Sequence, residues 1–405
     1  MTDTRPTPTA SDAAREPLRL SARATALKPS LTLAITARAR QLRSEGHDIC
    51  SLSAGEPDFD TPAFIRQAAA EALNSGHTRY GPAAGEPALR QAIAAKLERE
   101  NGVALGPNGV AVTNGGKQAL FNLFQVLLDP GDQLLLPAPY WLSYPEMAAL
   151  AGASVGLIPT AATDGFRLRP ETLEAAITPA SRLLVLNSPG NPTGTVLSRS
   201  DLEAIAEVLR RHPRLAVVCD EIYEFLVAPG HEHHSLASVA PDLADRVFIV
   251  NGFAKGWAMT GWRVGWLAGN PTVITAAAAL QSQSTSNVCT FAQYGALAAI
   301  EGPRDTVWQM AEQFNSRRSH LSRGLQAIPG VRLQEPQGAF YAFPDVGAWG
   351  LDSMTLCERL LETVGLAVVP GVAFGDDRCI RLSCAASTTA IDDGLERLRR
   401  FQASL

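Results

Sequence analysis

The stretch "VNGFAKGWAMTGWRVG", residues 250–265, leaves an apolar run and sets one lysine, Lys255, among glycine, alanine and aromatic residues, with Arg263 eight positions on. An ammonium group in such company loses hydration, and desolvation shifts a lysine toward its neutral, nucleophilic form. The bland alternative is a surface lysine whose stem lies along apolar neighbours while its head stays in water. The rest of the chain decides between them.

Upstream, apolar runs alternate with alanine-rich segments of helical period. The runs are "GVAVT", "DQLLLP", "SVGLIP", "RLLVLN", "LAVVCD" and "RVFIVN", and "VGWLAG" follows the lysine. That alternation predicts an α/β fold around a mostly parallel sheet. Helices are expected over "AFIRQAAAEALNSG", with Thr61 as cap and Pro62 in the first turn, and over "ALRQAIAAKLERENG", closing at Gly102. From about residue 305 the texture changes to a long charged helix, the short strands "VRLQ", "AFYAFP", "LAVVP" and "CIRLS", and a last helix. The expected division is an arm over 1–20, a large domain over 56–304, and a smaller α+β domain from 21–55 plus 305–405.

Composition narrows the function. A formal net charge of -5 with no basic stripe argues against nucleic-acid binding. The first twenty residues lack the apolar segment of a secretory leader, and the longest alanine-rich run, "VITAAAAL", is too short to span a membrane. A soluble cytoplasmic protein is expected. The six cysteines form no C-x-x-C pair, so neither a disulfide framework nor a zinc site is indicated. The "HEHH" cluster (His231, His233, His234) falls in an expected loop without a matching carboxylate pattern, and no metal is expected there.

In open α/β sheets, ligands gather beyond the carboxyl ends of the strands. After "GVAVT" comes "NGGKQAL", whose glycines open a helix able to hold a phosphate on free N–H groups. After "RLLVLN" comes "SPGNPTG" with Asn191; after "LAVVC" comes "DEIY" with Asp220 and Tyr223; after "RVFIVN" comes Lys255. Each is weak alone. Together they offer an anion cradle, an amide, an acid, a phenol and an amine on one rim. Pyridoxal 5'-phosphate asks for that set: an amine for its aldehyde, a carboxylate to keep its ring nitrogen protonated, and a phosphate site. Trp141 in "APYWLSYPE" is available to stack on a ring face.

With these residues in view, the chain from about residue 20 onward resembles the fold-type I, class I aminotransferases, and within them the bacterial-type aspartate aminotransferases. The resemblance rests on "AGEPDFDTP", "GGKQALFN", "PYWLSYPEM", "NSPGNPTG", "DEIYE", "AKGWAMTGWRVG" and the arginine of "IRLS", in that order. It implies a seven-stranded, mostly parallel sheet with Lys255 bonded to the cofactor. It further implies that Asp220 pairs with the ring nitrogen, that Tyr223 and Asn191 contact the ring oxygen, and that Trp141 stacks. Gly116, Lys117 and Arg263 would hold the phosphate, Arg381 the substrate α-carboxylate, and Gly55 would approach the substrate. Tyr80 would reach the phosphate of a neighbouring subunit, implying a homodimer with shared sites. Two residues depart from the pattern: Ala254 stands where a hydroxyl residue is usual, and Cys384 where tyrosine is usual, which is expected to alter the pocket wall.

For substrate, Lys117 with a hydroxyl from Ser30 or Thr32 matches the set receiving a distal carboxylate, so the resemblance implies transamination between aspartate and 2-oxoglutarate. Prephenate transamination is the alternative, because the Thr32 and Lys117 pairing also occurs in relatives with that activity. A fold-type I lyase and a non-enzymatic effector-binding module stand as readings from other classes.

Overall fold

The computed structural model describes residues 18–27 and 31–405. The expected arm therefore falls almost wholly outside the described residues. The strands are β1 (Cys50–Ser51), β2 (Val110–Thr113), β3 (Gln133–Ala138), β4 (Ser154–Pro159), β5 (Ser181–Asn187), β6 (Ala216–Asp220), β7 (Val247–Gly252) and β8 (Gly265–Ala268). Four more follow: β9 (Tyr341–Ala342), β10 (Leu366–Ala367), β11 (Val369–Pro370) and β12 (Ile380–Ser383). Seven form the central sheet in the order β2-β8-β7-β6-β5-β3-β4. β8 runs antiparallel to both of its neighbours, and the other pairings are parallel. All seven runs picked out by pattern are these strands.

The runs read as continuously apolar because the sheet is covered on both faces. Side chains alternate across it. Leu135, Leu184, Leu186, Val217, Cys219 and Ile249 join one buried cluster, while Leu134, Leu136, Leu183, Val185, Val218, Phe248 and Val250 join another. A third core gathers Leu52, Phe314, Phe340, Leu382, Ile391 and Leu398. It lies between the antiparallel sheet β11-β12-β9 and the helices Asp305–Gln326, Ser353–Val364 and Thr388–Ala403. β1 pairs with β10, tying residues 50–51 to this carboxyl-terminal unit.

Three local expectations need correction. Thr61 does not cap the helix Ala63–Asn74, whose N-cap is Pro62 without a side-chain bond; the Thr61 hydroxyl donates to the Ala258 carbonyl at 2.7 Å instead. "VRLQ" is no strand: Arg332 makes a single bridge to Asp345. "LAVVP" is two short strands in different sheets, β10 and β11, because its ends find different partners. The helix Pro87–Asn101 does end at Gly102, in the left-handed region at φ 68°. Among the described residues no helix is long and apolar enough to cross a membrane. All six cysteines are free.

Candidate active site

A cavity of about 470 Å³ opens at the carboxyl ends of the central strands. Gly55, Gly116, Lys117, Trp141, Asn191, Asp220, Tyr223, Lys255, Arg263 and Arg381 all line it. Asp220 arrives as the last residue of β6, Asn191 four residues past β5, and Lys255 three residues past β7. The parallel order of β5, β6 and β7 brings them to one rim.

At the base, Asp220 is 6 % exposed; its Oδ2 accepts from the Tyr144 hydroxyl at 2.7 Å and its Oδ1 from the Ile222 amide at 3.3 Å. Burial pushes its carboxyl up to about 6, partly offset by the Tyr144 bond. A carboxylate so desolvated, without a directly bound cation, is suited to a positively charged N–H partner.

Lys255 Nζ donates to the Gly55 carbonyl at 2.5 Å and lies 5.8 Å from the Tyr223 ring centre and 5.6 Å from that of Phe340. Burial lowers its ammonium to about 8, against the opposing pull of Glu56 and with help from Arg381 and Arg263. The snorkelling alternative fails on this geometry. The Tyr223 hydroxyl bonds the Tyr341 hydroxyl at 2.9 Å.

Arg381, 2 % exposed on β12, reaches in from the carboxyl-terminal unit. Its Nη1 donates to Asn191 Oδ1 at 3.0 Å and its Nη2 to the Ser53 carbonyl at 3.1 Å. Its Nε is buried without a partner, and the guanidinium rests on the Tyr341 ring at 4.4 Å. Lys117 Nζ lies 4.8 Å from the Trp141 ring centre, its ammonium shifted down by burial and by Arg263.

A cradle at the N-terminus of the helix Gly116–Leu127 is kept open by the absence of side chains. Gly115, at φ 79°, caps the helix Gly116–Leu127, and a Cβ there would meet Arg263 Nη2 at 2.7 Å. A Cβ on Gly265 would meet the Gly116 amide nitrogen at 2.6 Å. Only bare backbone lets the helix N-terminus, the start of β8 and Arg263 converge. This cradle, the buried Asp220, the depressed Lys255 and the half-satisfied Arg381 fit pyridoxal phosphate with a carboxylate-bearing substrate.

Some sequence-picked residues stand elsewhere. Tyr80 is 90 % exposed and outside this chain's cavity. Thr32 sits in the first turn of the helix Leu31–Ser44, but its side chain, like all of Ser30, lies outside the described residues. Ala254 lines the cavity as expected. Cys384 does not: it is fully buried, its thiol pushed up to about 12 by burial, with Sγ 4.0 Å from the Phe314 carbonyl. The usual tyrosine position here faces the core, so the expected change in the pocket wall is not found.

The structure adds Tyr144 and Tyr341, which sequence reasoning passed over. Tyr144 stood inside "PYWLSYPEM", one turn beyond the picked Trp141. The histidine loop also differs from expectation, because "DEIYE" supplies carboxylates to it. Glu221, Glu224 and His233 place ligand atoms within 4.8 Å of one another, with His233 Nε2 3.2 Å from Glu221. Lys96, fully buried, donates to both Glu224 oxygens at 2.5 Å and to Asn101 at 2.7 Å, so an ammonium is the partner of the Glu224 carboxylate.

The chain belongs to the class I and II aminotransferases: the model of that family matches residues 47–398. It is 45% identical over 396 residues to the bifunctional aspartate aminotransferase and glutamate/aspartate-prephenate aminotransferase of Petunia hybrida, covering 95% of this chain and 82% of that protein. It is 46% identical over 384 residues to the aspartate/prephenate aminotransferase of Thermus thermophilus, covering 94% and 98%. Among solved structures it matches the aspartate aminotransferase from Thermus thermophilus with maleate at TM-score 0.91 and 46% identity, covering 95% and 99% of the two chains. It matches that from Rhizobium meliloti at TM-score 0.92 and 39% identity, covering 96% and 99%. The protein is thus an enzyme of transamination, and its seven-stranded mixed sheet is the fold-type I arrangement these neighbours share.

Proposed function

We propose that the enzyme uses pyridoxal 5'-phosphate to move an amino group from L-aspartate to 2-oxoglutarate, giving oxaloacetate and L-glutamate. The observation that carries this reading is one cavity lined by Lys255, Asp220 and Arg381 together with Lys117, whose ammonium lies 4.8 Å from the Trp141 ring centre. When bound, the cofactor supplies an aldehyde for an amine and a ring that accepts the electron pair left by a broken Cα–H bond.

The chain's own residues do the rest. The Gly116 and Lys117 backbone and Arg263 would hold the phosphate, Asp220 would keep a negative charge at the base of the cavity, and Tyr223 and Asn191 would serve the ring oxygen. Trp141 would stack on the ring and exclude water. Arg381 forks onto the α-carboxylate, a planar bidentate task for which guanidinium is better shaped than ammonium. Lys255 Nζ, partly neutral because of burial, takes the proton from substrate Cα and returns one, as a general base and then acid. Lys117, with Thr32, receives a distal carboxylate.

A dicarboxylate substrate is supported by the Thermus thermophilus structure described with maleate, itself a dicarboxylate. Prephenate is the second reading, favoured by the names of the Petunia hybrida and Thermus thermophilus relatives. We further propose a large domain over 56–304 and a small one from 21–55 plus 305–405, a cytoplasmic homodimer, and delivery of the exposed Tyr80 to the partner's phosphate. The test compares aspartate and phenylalanine as donors to 2-oxoglutarate, and glutamate as donor to prephenate, in wild type and Lys117→Ala. Aspartate turnover that collapses in the variant supports the assignment; turnover of phenylalanine alone overturns it.

A further inference from the structure

Tyr223 and Tyr341 both line the cavity, and their hydroxyls bond one another at 2.9 Å. Each hydroxyl has one proton to give, so the pair must choose a direction. Tyr341 lies on β9 opposite Ser383 of β12, and Arg381 stands two residues before Ser383 on the same face. This diagonal puts the guanidinium 4.4 Å from the Tyr341 ring centre. A cation against the ring face draws electron density from the phenol and makes Tyr341 the stronger donor. Tyr223 meets Phe340 in a T-shaped contact at 5.5 Å, and the cation over its own ring, Lys255, stands farther off at 5.8 Å. The charged and titratable groups around Tyr341 are Tyr223 from the segment after β6, Arg381 from β12 and Cys384 just beyond it.

We propose that the Tyr341 hydroxyl donates to the Tyr223 oxygen and thereby fixes the Tyr223 proton toward the cavity, making Tyr341 a positioning residue for the cofactor-facing phenol. This deepens, and rests on, the reading of the cavity as a pyridoxal phosphate site. With Tyr341 donating to its oxygen, the Tyr223 hydroxyl cannot give its own proton to Tyr341 and is left to donate to an acceptor in the cavity. A phenol that accepts one bond also donates the next more strongly. Since Tyr341 also underlies Arg381, one side chain of the carboxyl-terminal unit aligns two groups with separate tasks.

The test uses the holoenzyme and reads the pH midpoint of the visible absorbance of the bound cofactor. A donor to the ring oxygen favours its anionic form, so weakening the donor moves the midpoint up. Tyr341→Phe keeps the ring under Arg381 and removes only the hydroxyl. One net hydrogen bond corresponds to a rise of roughly 0.3 to 1 pH unit, with the KM for aspartate nearly unchanged. Tyr223→Phe raises the midpoint more, and Tyr223→Phe/Tyr341→Phe adds nothing to Tyr223→Phe, because Tyr341 acts only through Tyr223.

If Tyr341→Phe titrates like wild type while Tyr223→Phe shifts, the inference is wrong and the site reading stands. If neither shifts, the assignment of Tyr223 to the ring oxygen fails. A Tyr341→Phe shift that persists undiminished beside Tyr223→Phe also overturns the proposal. Incorporating 3-fluorotyrosine at position 341 supplies a more acidic donor of nearly the same shape, and is expected to lower the midpoint.

Discussion

The amine of Lys255 is set to react near neutral pH, and this can be measured before any cofactor is added. An ordinary lysine titrates at 10.5, whereas burial brings Lys255 to about 8. At pH 7 the ordinary value leaves about one amine in three thousand neutral, and the lowered value about one in ten, a gain of roughly three-hundredfold. Trace acetylation of the apoprotein across a pH series, read by mass spectrometry of the Lys255 peptide, should give a half-point near the lowered value. The neighbours supply signed controls. Glu56, which accepts from the Thr260 hydroxyl at 2.8 Å, opposes the shift, so Glu56→Gln should move the half-point further down. Arg381 assists it, so Arg381→Leu should move it up. A half-point at the ordinary lysine value would refute burial as the cause of activation, and Glu56→Gln moving it upward would refute the opposing pull assigned to Glu56.

Two further predictions concern the scaffold of the site. Lys96→Met leaves the Glu224 carboxylate buried without its ammonium and should cost about 3–5 kcal/mol in urea unfolding, whereas Lys96→Met/Glu224→Leu should recover most of it; a single-variant loss within experimental error would show the pair to be dispensable. Gly265→Ala drives a methyl against the Gly116 amide, an overpacking of ~1–3 kcal/mol, and should weaken cofactor retention by roughly ten- to hundredfold in equilibrium dialysis; an unchanged dissociation constant would mean the cradle yields freely.

What the sequence makes legible follows from the range of the forces involved. β6 and β7 announce themselves by apolar runs bounded by polar residues, and the parallel order then fixes where Asp220 and Lys255 must stand. Both were found because a strand end is a local feature with a global meaning. Tyr341 stands 118 residues from Tyr223, and nothing local to "AFYAFP" tells which of its aromatics will meet a phenol. Thr61 shows the opposite failure. Its sequence suits a cap, yet its hydroxyl goes to Ala258, 197 residues away, because a tertiary acceptor at 2.7 Å outcompetes the local amide.

The "DEIYE" segment shows how a motif read as one block divides in space. Asp220, Ile222 and Tyr223 line the catalytic cavity, while Glu224 lines a separate trough with His231 and His233. Glu221, although next to Asp220, is 2 % exposed and faces His233. The turn after β6 therefore sends Asp220, Ile222 and Tyr223 to one side and Glu221 and Glu224 to the other. Burial raises the Asp220 carboxyl, and the same turn is pinned from behind by the ion pair of Glu224 with Lys96. A buried pair of this kind adds little net stability over an apolar substitute, but it is costly to break on one side only. Its consequence here is positional: the carboxylates of "DEIYE" that do no chemistry hold the backbone from which Asp220 and Tyr223 reach the cavity. An enzyme with the Lys96→Met/Glu224→Leu pair would then test whether anchoring alone matters, since it restores packing while removing the Lys96–Glu224 ion pair from the anchor.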